Sequence, residues 1–226
     1  MCTNQNKITN KKIFLTGACG GLGSSLALAL CQKQADVVVS DKNPRSLNLL
    51  CDKIIEQGGK EPMVFPLDLV GATPNDFVQL ANNIEENIGS LDALIHTAVE
   101  FSGLTEFEHY EATRWLKEIQ INLNSPVFLT QALIPLLKKR KGSIIFTIEN
   151  LTTVSKAYWG AYGTTKGALA HFATTLGEEL ESDNISVHTI TPPPMKTQLR
   201  SKAWPAENTN HLIMPDEVVK EYLSRL

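Results

Sequence analysis

Short, mostly apolar runs alternate along the chain with longer stretches whose apolar residues recur at helical spacing. The short runs fall at 13–16, 36–40, 63–67, 91–96, 143–148 and 185–190. Most are apolar throughout rather than alternating, as expected of strands covered on both faces. Helical stripes fill the gaps. Leu22, Leu26, Ala29 and Leu30 form one. Phe77, Leu80, Ala81, Ile84 and Ile88 form another, after the cap-and-breaker sequence Thr73-Pro74-Asn75. Leu129, Ala132, Leu133, Leu136 and Leu137 make a third, and Leu169, Phe172, Ala173, Leu176 and Leu180 a fourth. Met214-Pro215-Asp216 opens a last helix running to about Leu223. Strand–helix–strand alternation predicts right-handed crossovers and an α/β fold, with a doubly wound parallel sheet between helices.

With 226 residues and no repeat or linker, the whole chain, 1–226, reads as one domain. Lys+Arg is 21 against Asp+Glu 24, a net charge of -3, which offers nothing to nucleic acid or an anionic membrane. No apolar run approaches the roughly 20 residues of a membrane helix. The segment Met1 to Lys12 is polar, without the apolar centre of a signal peptide. Cys2, Cys19, Cys31 and Cys51 contain no CxxC pair, so reduced thiols, a cytoplasmic location and no metal site are expected. Pro192-Pro193-Pro194 reads as a stiff loop after the sixth strand.

The chemistry starts directly after the first strand, at Thr16-Gly17-Ala18-Cys19-Gly20-Gly21-Leu22-Gly23. Glycines between a strand and a helix let the backbone turn sharply and approach a pyrophosphate, which the helix N-terminus then holds. The loop makes Gly17, Gly21, Leu22 and Gly23 cofactor-binding candidates in a dinucleotide site. Asp41 ends the second strand, 24 residues after Gly17. A carboxylate there accepts hydrogen bonds from an adenosine ribose and repels a 2′-phosphate, which favours NAD over NADP. Lys42 beside it offsets that repulsion, and Asp41 also reads as a helix cap or turn residue. Asp68, ending the third strand, is placed either against the adenine edge or as a solvated turn residue.

Thr16-Gly17-x-x-x-Gly21-x-Gly23, the segment Asp92 to Ala98, Asn122 before a helix, and Tyr162-x-x-x-Lys166 occur in that order. In these features the chain resembles the short-chain dehydrogenase/reductase family over about residues 10 to 223. The strings Thr130 to Leu137 and Trp159-Gly160-Ala161-Tyr162 look most like its YciK-type bacterial oxidoreductases. The resemblance implies a Rossmann-like sheet of about six strands in the order 3-2-1-4-5-6, and hydride transfer between a nicotinamide cofactor and an alcohol or carbonyl. Tyr162 and Lys166, four apart, share a helix face, where the ammonium favours phenolate. By resemblance Tyr162 exchanges the proton, Lys166 also holds the nicotinamide ribose, and Asn122 places a water that links Lys166 to solvent. Ala98 and Thr197 match cofactor-contacting positions.

Several positions depart from the family. Its serine, 12 to 13 residues before the tyrosine, is replaced by Glu149 and Asn150. Asn150 has an amide to donate; an ionised Glu149 opposes phenolate. Thr147, Thr152 and Thr153 compensate only if the loop turns them inward. The segment after the fourth strand reads His96-Thr97-Ala98-Val99, where His96 is expected to be structural. Pro193 stands where glycine is usual, and the family's seventh strand and tail are not expected, which leaves six strands. Residues 194–212 are expected to form a substrate lid, with Leu199, Trp204 and Leu212 giving it apolar character. A homodimer through residues 126–138 and 162–181, including Phe128 and Ala170, is expected, with a tetramer less secure. The rival reading is a catalytically impaired nucleotide-binding sensor or partner subunit of the same fold.

Overall fold

The computed structural model describes residues 8–226, so Cys2 and the polar segment before Ile8 lie outside the described residues. The strands are β1 (Lys12–Thr16), β2 (Asp36–Asp41), β3 (Met63–Pro66), β4 (Ala93–His96), β5 (Ser143–Thr147) and β6 (Ser186–Ile190). They form one parallel sheet in the order β3-β2-β1-β4-β5-β6, as expected. The helices are α1 (Gly21–Gln32), α2 (Pro44–Glu56), α3 (Pro74–Ile88), α4 (Ala112–Ile119), α5 (Ser125–Lys138), α6 (Leu151–Val154), α7 (Gly160–Leu180), α8 (Gln198–Ala203) and α9 (Pro215–Leu223).

Strand alternation divides the core between the two faces. Ile13, Leu15, Val37, Val39, Ala93, Ile95 and Ile145 point to one face, where α1, α2 and α9 cover them. Phe14, Val38, Leu94, Ile144 and Phe146 point to the other, under α3, α5 and α7. Burial on both faces explains why these strands read as continuous apolar runs. Helix starts follow their caps. Asn43 Oδ1 accepts the Arg45 and Ser46 N–H groups ahead of α2. The Asp76 carboxylate accepts both the N–H and the hydroxyl of Thr73 ahead of α3.

The sequence pattern missed α4, whose stripe is short, and the π turn Gln120–Asn124 that joins it to α5. Asn122 therefore lies inside a continuous helical rod rather than before a helix. Among the described residues β6 forms one edge of the sheet, and no helix is long and apolar enough to cross a membrane. Beyond β6, Met195 and Ile213 pair as a parallel bridge, so the segment between them leaves and returns to one place. α9 then packs on α1, and its Tyr222 hydroxyl meets Thr147 Oγ1 at 2.9 Å at the end of β5.

The buried faces, rather than exposed apolar residues, hold the fold. Phe14→Ala, at a fully buried site, is expected to cost about 3–5 kcal/mol. Leu49→Ala, at a site 70% exposed, should stay within about 0.5 kcal/mol in the same urea titration.

Candidate active site

The glycine loop, Asp41, Asp68 and Ala98 line one cleft at the carboxyl end of the sheet, where its order reverses between β1 and β4. Gly17 has φ +66, and a Cβ on it would lie 2.5 Å from the Ala98 nitrogen. Only glycine lets the loop press this closely on the chain leaving β4. Thr16 fastens the contact: its Oγ1 accepts the Thr97 and Ala98 N–H groups at 3.2 and 3.3 Å. A Cβ on Gly23 would meet the Gly17 carbonyl oxygen at 2.0 Å, so α1 can start tight against the loop.

α1 begins without a capping side chain or an acidic residue in its first turn. Its N–H groups and positive dipole end therefore remain available to an anion. The Leu22 side chain is in the core, so its contribution here is its backbone. A cleft runs outward from the loop, lined among others by Gly17, Gly20, Asp41, Asp68 and Ala98. Asp41 Oδ2 accepts the Cys19 N–H at 3.1 Å, and Asp68 Oδ1 accepts the Val70 N–H at 3.1 Å. Thr197 caps α8 through the Arg200 N–H, and its methyl would stand 3.0 Å from a Cβ on Gly21. A glycine cradle, an uncapped helix start and a carboxylate beyond it suit a dinucleotide, whose nicotinamide would supply or accept hydride.

The acid–base groups lie across β4 and β5. Lys166 Nζ donates to the Thr147 carbonyl at 2.9 Å and stands 5.6 Å from the centre of the Tyr162 ring. Burial pushes the Lys166 ammonium down to about 8, and the Glu149 charge opposes that fall. Tyr162 Oη donates to Glu149 Oε2 at 3.1 Å. Burial, then the Glu149 charge and hydrogen bond, then the Glu118 charge push the phenol well above its usual range.

The structure places Glu149, not Asn150, at the phenol. Asn150 is exposed, and its Oδ1 accepts the N–H and the hydroxyl of Thr152 at the start of α6. Thr152 spends its hydroxyl there and Thr147 shares its own with Tyr222, so neither replaces the missing serine. Asn122 is also committed: its Oδ1 accepts the Glu100 N–H at 2.7 Å and its Nδ2 donates to the Glu100 carbonyl at 2.8 Å. His96 is structural, 2.9 Å from Thr130 Oγ1 and stacked on Phe146, with burial driving its pKa to about 3.

Sequence reasoning missed Glu118. This α4 residue is fully buried; Oε1 accepts the Ser102 N–H at 2.8 Å, and the carboxylate lies beside the Tyr110 hydroxyl. Its one sequence signal was a lone carboxylate four residues before Asn122. Aromatic rings close over the phenol. Phe101 and Trp159 have ring centres 5.1 and 5.6 Å from that of Tyr162, and Trp204 lies 5.3 Å from Trp159.

A glycine cradle at the break in strand order and a Tyr–Lys pair across it define a nicotinamide-dependent oxidoreductase. The sequence model of the short chain dehydrogenase family matches residues 11–208, and the chain belongs to that family of NAD(P)-dependent enzymes. It is similar to the oxidoreductase YciK of Escherichia coli K12, 31% identical over 220 residues that cover 97% of this chain and 87% of YciK. The 2,3-dihydro-2,3-dihydroxybenzoate dehydrogenase of Bacillus subtilis is 28% identical over 212 residues, 91% of this chain and 77% of that one. A short chain dehydrogenase of Shigella flexneri, solved in complex with NADP, superposes with a TM-score of 0.94 at 31% identity, covering 98% of this chain and 93% of that one. One of Escherichia coli CFT073, solved with NADPH, has a TM-score of 0.94 at 31% identity, covering 99% and 93%.

The Tyr162–Glu149 contact has a measurable consequence. Glu149→Gln removes a negative charge beside both groups, so Tyr162 should ionise at lower pH and Lys166 should fall below about 8. Phenolate absorbance, taken as the difference from Tyr162→Phe, reads the first shift; an unmoved midpoint contradicts the contact.

Proposed function

We propose that this chain transfers hydride between a bound nicotinamide dinucleotide and a substrate carbon at the alcohol–carbonyl oxidation level. Tyr162 faces the heteroatom, Lys166 holds the nicotinamide ribose, and the main chain at Asn122 holds water behind Lys166. One observation carries the reading: Tyr162 and Lys166 meet at the end of β5, two strands from the glycine loop at the end of β1. That spacing lets one extended cofactor lie across the strand ends. Gly17, Gly21, Gly23 and the Leu22 backbone hold its pyrophosphate, with Ala98 and Thr197 towards the nicotinamide and Asp68 towards the adenine.

Asp41 supports NAD, because a second negative group would meet its carboxylate in the cleft. The relatives solved with NADP and NADPH favour the opposite choice, and exposed Lys42 offers that phosphate a partner. Titrating the protein with NADH and with NADPH separates the two. If Asp41 decides, NADH binds more tightly and Asp41→Ala narrows the gap.

Tyr162 is only 2% exposed beneath α8 and the rings around it, so residues 194–212 act as a lid that opens for substrate. Self-association through α5 and α7 belongs to the same proposal, since Phe128 and Ala170 remain partly exposed. Light scattering reads the resulting mass.

The experiment that tests the activity is Tyr162→Phe, which removes the proton and keeps the ring. Turnover of ketones and alcohols should fall by about two orders of magnitude or more while dinucleotide affinity holds. Lys166→Ala should damage both. A Tyr162→Phe variant equal to the parent on those substrates contradicts the reading.

A further inference from the structure

We propose that the substrate group held against Tyr162 is a protonated carbon–nitrogen double bond, reduced to an amine, and that Glu149 selects it. The inference rests on the hydride-transfer reading above and names its substrate class.

The reacting heteroatom of a hydride acceptor must come within hydrogen-bond reach of Tyr162 Oη. Glu149 Oε2 already stands there, at 3.1 Å, with the phenol proton pointed at it. A ketone oxygen brings only lone pairs. Beside a carboxylate it finds repulsion, and the phenol O–H there is already given to Glu149, where a hydroxyl side chain would have offered a free hydrogen bond. A protonated imine brings the reverse, a positive charge and an N–H. Glu149 and the Tyr162 oxygen can both accept from it, giving a charge-assisted contact.

The carboxylates around the phenol point the same way. Glu149 accepts the Asn150 N–H at 3.2 Å and the phenol, but among the described residues no lysine or arginine nitrogen forms an ion pair with it. Lys166 is within range of the Glu149 charge, but it gives its hydrogen bond to the Thr147 carbonyl rather than to that carboxylate. Glu118 adds a second, fully buried carboxylate, held by the Ser102 N–H and lying beside the Tyr110 hydroxyl. Glu100 is paired with Lys117 at 3.3 Å, and from the lid Lys202 Nζ approaches the Phe101 carbonyl at 3.5 Å. Phe101, Trp159 and Trp204 supply ring faces that attract cations. The Arg200 guanidinium already lies 3.5 Å from the centre of the Trp204 ring.

The chemistry balances with the phenol left protonated. Hydride from the reduced nicotinamide adds to the imine carbon. The C=N π pair moves to nitrogen, which keeps its proton and becomes a neutral amine. The cofactor leaves oxidised by two electrons, and no proton is drawn from Tyr162. A phenol held protonated by Glu149 is a handicap for ketone reduction and none for this reaction.

The test compares 3,4-dihydroisoquinoline with α-tetralone, an imine and a ketone of similar shape, using whichever of NADH and NADPH binds. The imine should show the higher kcat/KM by about ten- to a hundredfold, the span of one charge-assisted hydrogen bond. Glu149→Gln should shrink that ratio, and Glu149→Ser should turn it towards the ketone. Tyr162→Phe should spare imine turnover far more than ketone turnover. Calorimetry adds a readout independent of turnover: tetrahydroisoquinoline should bind the oxidised-cofactor complex more tightly than isochroman, its neutral ether counterpart, and Glu149→Gln should abolish the difference. An amine bound no more tightly than the ether, or a ketone reduced faster than the imine, overturns the inference. Failure to bind either dinucleotide would instead overturn the hydride-transfer reading.

Discussion

The close passage of Gly17 against Ala98 is the constraint on which the working end of this molecule depends. Parallel strands must send their connections to opposite faces somewhere in the sheet, and here the change falls between β1 and β4. The two chains leaving that point would diverge around an open crevice. They are held together by the Thr16 hydroxyl, which bonds two amides across the gap, and by the missing side chain at Gly17. The uncapped start of α1 thereby faces the same cleft as the residues leaving β4. The Tyr162–Lys166 pair is referred to that cleft through the register of β4 on β5.

Within this frame the local charge differs from what a tyrosine–lysine pair alone implies. An ammonium by itself would lower the phenol's pKa and promote its ionisation. Burial outweighs it, and Glu149 and Glu118 add negative charge on the same side. The phenol is thus a hydrogen-bond donor to an anion, beside a lysine whose own charge is weakened by burial. A site of this polarity disfavours a neutral acceptor that must be protonated and favours one that arrives carrying its proton.

Much of this was legible in the sequence because the responsible forces act locally. Strands buried on both faces read as apolar runs, and the order of runs and stripes gave the sheet. The glycine loop and the four-residue spacing of Tyr162 and Lys166 survived unchanged. The β4 run began too early: Asp92 precedes the strand, accepting the Lys12 N–H and pairing with Arg140. The direction of Glu149 was not legible. It lies just past β5, where the alternation that orients side chains ends, and counting residues could not separate it from Asn150. Nothing in the sequence around Glu118 marks it as buried. Its burial comes from the Ser102 loop folding over it, a contact between segments that no local pattern carries.

The most direct measurement is a crystal structure of the protein with oxidised dinucleotide and a small secondary amine. The account predicts the cofactor across the ends of β1, β4 and β5, with the amine nitrogen within hydrogen-bond distance of both the Glu149 carboxylate and Tyr162 Oη. Glu149 turned out to solvent, with a threonine hydroxyl beside the phenol in its place, would contradict it.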